Sequence, residues 1–290
     1  MSDPANLIAF QGLPGAYSDL ACRHMYPVLT TLSCPSFADA IAAVREGKAQ
    51  LAMLPIENSV AGRVADIHHL LPESGLHIIA EHFERVEHHL LAVPGARIED
   101  LRAVRSHIHA LPQCRKLIRE LNLTPLVSPD TAGAARDVAA QGDKSVAAIG
   151  SELAGQIYGL VSLKRNIEDA EHNTTRFLVM SREARYPAND IGLVVTTFIF
   201  KVRNVPAALY KALGGFATNG INMTKLESYM VGGAFTATEF YADVEGHPED
   251  RPLRLALEEL RFFSREVRIL GVYPGHKFRG VAAAQAPGWD

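Results

Sequence analysis

Cysteine is scarce in this chain of 290 residues: Cys22, Cys34 and Cys114 are the three present. They are odd in number, far apart and in no Cys-x-x-Cys pair, which excludes a disulfide framework and a cysteine zinc knuckle and fits free thiols in a reducing compartment. Long apolar runs are missing as well. The most apolar stretch, Val194–Phe200, is broken by Thr196 and Thr197 and is too short to span a bilayer. No basic block occurs and the formal net charge is −3, so neither nucleic acid nor a membrane is an expected partner. The opening MSDPANLIAF lacks the basic-then-apolar order of a secretory signal, which gives a cytoplasmic expectation.

Cofactor signatures are absent too. There is no GxGxxG dinucleotide loop and no GxxxxGK[ST] phosphate loop. Twelve histidines invite a metal reading, but His68-His69 and His88-His89 are neighbours that point to different faces, and His107-x-His109 sits in a loop. None has HExxH spacing or a cysteine partner, so the expectation is no metal and no cofactor.

The composition that remains is ordinary and globular, 48% hydrophobic and 21% charged, in a chain long enough for two domains. Residues 7–180 alternate short apolar runs with helical patterns, the mark of a mostly parallel α/β sheet. Strands are predicted at Leu7–Phe10, Leu51–Leu54, His88–Val93, Ala103–Val104, Leu126–Val127 and Ala147–Ile149. Helices are predicted at Tyr17–Met25, Phe37–Glu46 and Ser59–Leu71, and after Ser106, Thr131 and Ser151. Residues 183–192 are polar and read as a linker. Beyond it the pattern is strand (Leu193–Val202), helix (Pro206–Phe216), strand (Asn222–Ser228), strand (Ala234–Asp243), helix (Pro248–Phe262) and strand (Val267–Tyr273), with Val231-Gly232-Gly233 as the hairpin turn. The order βαββαβ suits a ferredoxin-like sandwich. The tail, 276–290, is small and polar and reads as loose.

The informative residues are those just after each strand. Gly12 to Ser18, Pro55 to Ser59, Arg105 to His107, Ser128 to Thr131 and Gly150-Ser151 each join a strand end to a predicted helix start. In parallel sheets such ends gather along one edge, and helix N-termini attract anions. Each Ser, Thr or Asn can also be a plain helix cap. Taken alone, the set points to binding of a small anionic molecule. Near residue 176 a polar run ends at Thr175-Arg176 before a buried strand, where the guanidinium could pair with a ligand carboxylate or with an acid of its own chain.

Taken in order, FQGLPGAYS, LPIENS, SHIHALPQC, DTAGAA and NTTRF resemble the motifs of the prephenate dehydratase family, over about residues 6–275. Residues 193–275 resemble the ACT domain that comes after the catalytic part in these enzymes. Three positions depart from the family pattern: Ile108-His109 in the middle motif, Asp130 before Thr131, and Tyr229-Met230 after Glu227-Ser228. The resemblance implies an α/β fold: a two-lobed, periplasmic-binding-protein-like catalytic domain over 1–182, then a ferredoxin-like ACT regulatory domain over 193–275. Lobe one would take about 1–80 plus 170–182, and lobe two 81–169.

The implied reaction is the decarboxylating dehydration of prephenate to phenylpyruvate. Aromatisation drives it, so the protein needs to supply orientation, carboxylate anchoring and a hydrogen bond to the departing oxygen. The resemblance implies Thr175 as that donor and Arg176 as a holder of a carboxylate or of the site's geometry. Asn58, Ser59, Ser106 and Thr131 would donate to substrate oxygens, and Gly15, Tyr17, Ser18 and Phe177 would complete the binding site. Glu57 needs an orienting role or a protonated state beside a dianion. His107 is read as packing, with a proton source behind the site as the alternative. The ACT resemblance implies phenylalanine as effector, bound around Ala208, Leu209, Asn219, Gly220, Ile221, Asn222, Glu227 and Ser228, in a homodimer or homotetramer. Rival readings are an arogenate dehydratase and a non-catalytic amino-acid or anion sensor.

Overall fold

The computed structural model of the chain describes residues 3–188, 192–203, 205–230 and 237–280. It divides into two compact units, Met1–Leu70 with His82–Leu178 and Leu71–Glu81 with Val179–Asp290. Among the described residues no helix is long and apolar enough to cross a membrane.

In chain order the elements start with β1 (Leu7–Gln11), α1 (Tyr17–Met25), β2 (Thr30–Cys34), α2 (Phe37–Arg45), β3 (Leu51–Asn58), β4 (Gly62–Arg63), α3 (Ala65–Leu70) and β5 (His77–Arg85). Next come β6 (His89–Ala92), β7 (Ala103–His107), α4 (Arg115–Glu120), β8 (Thr124–Ser128), α5 (Thr131–Gln141), β9 (Val146–Gly150), α6 (Glu152–Tyr158), β10 (Val161–Lys164) and β11 (Thr174–Ser181). In the first unit β2, β1, β3 and β11 lie side by side, with β1 parallel to both neighbours and β4 antiparallel to β3. A second sheet has the order β10-β6-β9-β7-β8. There β7 is parallel to β8 and β9, whereas β6 and β10 run antiparallel to their neighbours. Both sheets are therefore mixed.

Central strands are apolar on both faces because helices cover them: Ile8, Ala9 and Phe10 of β1 are fully buried. Helix starts are fixed by side-chain caps. Ser36 accepts from the Asp39 N–H, Asp130 from Gly133 and Ser151 from Ala154. α5 and α6 end on Gly142 and Gly159 in the left-handed conformation. Asp130, a departure from the family pattern, is thus the N-cap of α5.

The second unit continues with β12 (Val194–Val202), α7 (Ala208–Thr218), β13 (Met223–Met230), β14 (Ala237–Glu245), α8 (Arg251–Phe263) and β15 (Ser264–Pro274). The strands lie in the order β13-β14-β12-β15 with antiparallel neighbours, the ferredoxin-like arrangement. Phe198 and Phe200 of β12 meet Phe216 of α7 and Leu253, Leu257 and Leu260 of α8 in one buried core. Gly271 of β15 pairs with Ile78 of β5, and a Cβ at 271 would collide with the Ile78 carbonyl. This backbone approach ties Leu71–Glu81 to the C-terminal unit.

Several sequence expectations are corrected. No helix starts at Ser59: β3 runs on to Asn58, a turn and β4 come next, and α3 holds only Ala65–Leu70. The Asn58 side chain accepts from the N–H groups of Val60 and Ala61, and this turn captures the donors a helix start would leave open. β2, β5 and β10 were not expected at all. The segment after Gly275 is not loose as far as Gly280, because Arg279 grips the buried Glu81 through Nε at 2.6 Å and Nη2 at 2.8 Å. The hairpin turn at Val231-Gly232-Gly233, linker residues 189–191 and tail residues 281–290 lie outside the described residues.

Candidate functional site

A cavity of about 630 Å³ opens within the first unit, at the ends of strands from both of its sheets. The first sheet contributes Tyr17, Ser18, Asn58 and Arg63, and the second contributes His107 and Thr131. The strand-end logic of parallel sheets accounts for this meeting. The glycine loop after β1 brings the two sheets together. Gly15 has φ +90°, and a Cβ there would lie 2.7 Å from the Ala154 Cα. Ser151, the cap of α6, donates to the Gly15 carbonyl at 2.6 Å, and the Gly15 N–H donates to Asp19 at 2.8 Å. Gly15 acts through backbone approach, a route open only to glycine.

Behind the cavity runs an array of hydrogen bonds whose direction is fixed by the backbone. The N–H groups of Val60 and Ala61 donate to Asn58 Oδ1 at 2.9 and 2.7 Å. A backbone N–H can only donate, so the other terminal atom of Asn58 is its NH2 group. That nitrogen donates to Asn173 Oδ1 at 2.8 Å and to Thr175 Oγ1 at 2.9 Å. Asn173 in turn donates to Gln113 Oε1 at 2.8 Å, and the same oxygen lies 2.9 Å from His88 Nε2. An amide oxygen only accepts, so His88 carries a proton on Nε2. Its Nδ1 is 2.8 Å from the Tyr17 hydroxyl, which is also 2.8 Å from the Glu87 carbonyl.

Burial governs the charge of these groups. It pushes the His88 ring below its ordinary value, opposed by the bond to Gln113, so the ring is neutral near pH 7. It also raises the Tyr17 hydroxyl well above its usual range and keeps it protonated. His107 is lowered by burial and then by His109, with Asp130 opposing. The cavity wall thus holds neutral donors and the neutral His107 imidazole, with Arg63 as a cationic group and Asp66 and Asp130 as carboxylates.

Thr175 is nearly buried on β11, one hydrogen bond from the cavity wall. Its oxygen accepts from Asn58, which leaves its own proton available to a reacting oxygen. Arg176 is 4% exposed and pairs with Glu57 at 2.9 Å, so the guanidinium meets an acid of its own chain. Other expected residues are placed elsewhere. Ser106 is fully buried and donates to the Ile149 carbonyl at 2.7 Å, joining β7 to β9 rather than facing a ligand. Ser59 donates to the His172 carbonyl at 2.7 Å and accepts from the Thr174 N–H at 2.9 Å. Phe177 is core. Glu57, a third exposed, lies beside Arg176 and not among the cavity-lining residues.

Sequence reading missed Arg63, His88, Gln113 and Asn173. His88 was dismissed with its neighbour as a metal candidate, and Gln113 stood inside a recognised motif without a role. No local pattern marks Arg63. In the second unit Asn219 closes α7 by donating to the Gly215 carbonyl, Gly220 has φ +66°, and Asn222 donates to Glu245 at 2.9 Å. Ala208 and Leu209 open α7, and Ile221 packs against the core beneath it. Glu227 and Ser228 lie on β13, with Lys225 Nζ 3.4 Å from the Glu227 carboxylate.

The model of the prephenate dehydratase family matches residues 8–185. A bifunctional N-acyl-homoserine lactone acylase/prephenate dehydratase of Komagataeibacter europaeus is 58% identical over 94% of this chain and 97% of its own length. Arogenate dehydratase/prephenate dehydratase 1 of Arabidopsis thaliana is 39% identical over 92% of this chain and 71% of its own. The crystal structure of prephenate dehydratase from Arthrobacter aurescens in complex with L-Phe has a TM-score of 0.85 at 30% identity, covering 93% of this chain and 90% of that one. With the matched motifs lying along this cavity and the array behind it, the chain belongs to the prephenate dehydratase family.

Proposed function

We propose that the cavity of the first unit converts prephenate to phenylpyruvate, with Thr175 donating to the departing hydroxyl. The observation that carries this reading is the Asn58–Thr175 bond, whose direction is set by backbone donors and leaves the Thr175 proton for the substrate. Prephenate carries two carboxylates. Arg63 supplies positive charge for them, Asp130 already caps the start of α5 beside Thr131, and Tyr17, Ser18, Thr131 and His107 supply neutral contacts. As CO2 leaves, electrons move through the ring and expel the hydroxyl, which accepts a hydrogen bond from Thr175 and departs as water with one proton taken up from solvent. An alcohol is a weak acid, so this group stabilises the leaving oxygen rather than delivering a full proton unaided. Arg176, neutralised by Glu57, holds β11 in place next to Thr175 and is a positioning residue. Incubating the purified chain with prephenate tests the reading, and absence of phenylpyruvate would overturn it.

Arogenate is the alternative substrate, supported by the double activity in the name of the Arabidopsis relative. Steady-state kinetics on both acids separates the two. A second activity, hydrolysis of N-acyl-homoserine lactones, is supported by the 58% likeness to the bifunctional Komagataeibacter protein. Release of free homoserine lactone from an acylated substrate tests it.

The second unit is read as an ACT regulatory domain binding phenylalanine, supported by its ferredoxin-like topology and by the likeness to a relative crystallised with L-Phe. The loop Asn219–Asn222, with Ala208, Leu209, Glu227 and Ser228, is the pocket in this reading, in a homodimer or homotetramer. Calorimetric titration with phenylalanine in which no heat of binding appears would remove this role and favour a different effector.

A further inference from the structure

Two imidazoles and a carboxylate converge in the first unit on residues that do not line the 630 Å³ cavity. His24 stands in the last turn of α1, while His82 and Glu84 are two apart on β5 and so share one face of that strand. Glu84 Oε2 lies 2.8 Å from His24 Nδ1 and 2.9 Å from His82 Nε2. The three candidate ligand atoms fall within 4.8 Å of one another. The Glu84 side chain is 9% exposed, His82 14% and His24 55%, so the carboxylate is sheltered and one imidazole faces water. Both rings aim a nitrogen at a single oxygen, which crowds three donors of metal-ligand type around one point.

We propose that His24, His82 and Glu84 form a binding site for a divalent first-row transition ion, zinc foremost. Two histidines and one glutamate are a set that zinc accepts, and imidazole with carboxylate suits it over calcium or magnesium. Bonds of about 2.0–2.2 Å place tetrahedral ligand atoms a little further apart than the two shorter separations seen here. Rotation of the Glu84 carboxylate and of the exposed His24 ring supplies that adjustment. The ion takes the place of the two protons that otherwise bridge the rings to Glu84. Three protein ligands leave a position for water, and His24 and Glu84 also border a second cavity of about 420 Å³ from which it can enter. The proposal goes beyond the dehydratase reading and does not depend on it. The competing account is a plain hydrogen-bonded clasp between α1 and β5, which binds no ion.

Calorimetric titration of the chelator-treated full chain with Zn²⁺ tests this, with cobalt absorption as a second readout. One equivalent is expected to bind saturably to the wild type. His24→Ala, at an exposed position that spares folding, is expected to weaken binding by at least the roughly 10–100-fold that loss of an outer-sphere partner costs, and Glu84→Gln to do the same. Dehydratase turnover of His24→Ala is expected to match the wild type. No saturable binding by the wild type, or an unchanged isotherm in His24→Ala, would overturn the proposal and leave the clasp.

Discussion

The Asn58 amide nitrogen stands 2.9 Å from Thr175 Oγ1 and donates to it across 117 positions of sequence. The oxygen of the same amide is held by two backbone N–H groups, so the amide cannot turn over without losing both. In the proposed mechanism Thr175 is the transition-state donor, so Thr175→Val is expected to lower kcat about 10²–10³-fold, with little change in KM. Asn58→Asp keeps the shape but turns the donor into an acceptor, and a fall in kcat of comparable size is expected. Steady-state kinetics on prephenate checks both. Unaltered turnover in Thr175→Val would remove the hydroxyl from the reaction.

His88 gives a pH signature. Its folded value is depressed chiefly by burial, so on acidification the unfolded chain takes up the proton first. Its stabilising contribution is therefore present above about pH 6.5 and is lost as pH falls from there toward the folded value. The slope from this one group is at most about 1.4 kcal/mol per pH unit. Urea unfolding across that window is expected to show a flatter pH dependence in His88→Gln than in the wild type.

Arg279 and Glu81 form a pair in which the carboxylate is fully sheltered and the guanidinium 12% exposed. Arg279→Ala leaves a buried charge without its main cation and is expected to cost about 3–5 kcal/mol. Denaturation of the full chain measures this, and Glu81→Gln alongside Arg279→Ala reports the pair's own coupling through a double-mutant cycle.

Gly15→Ala places a methyl against the Ala154 backbone at a positive φ. The combined strain is expected to destabilise the first unit by at least about 1–3 kcal/mol. A reduced urea midpoint together with a raised KM checks it, since the cavity-lining Ala16 and Tyr17 come directly after it in the chain.

Helices such as Tyr17–Met25 and the start of α5 were legible because caps and apolar spacing are local signals. β2 was not, since Thr30–Cys34 has only Cys34 buried and lacks an apolar alternation. β5 mixes His82 and Glu84 with apolar residues, and its pairing with Gly271 is written nowhere near it. Ser18, Asn58 and Thr131 of the cavity lining were legible because helix starts and strand ends carry Ser, Thr, Asn and Gly, whereas Tyr17 came from the family resemblance and His107, read as packing, lines the cavity instead. The same rule misled at Ser106 and Ser59, whose hydroxyls are used up on backbone partners. The array through Gln113, Asn173 and His88, like the meeting of His24 with His82 and Glu84, rests on contacts distant in sequence. No window of residues displays them.

β11 joins β3 although the whole second sheet is synthesised between them. A nascent chain therefore carries β3 with one flank uncovered from the time residue 58 emerges until residue 174 does. The exposed edge of Leu51–Leu54 is a template for pairing with other copies, and chains that stall or are cut before Thr174 are expected to precipitate or be degraded. With Thr175 on that late strand, no incomplete chain can carry the assembled Asn58–Thr175 array behind the cavity.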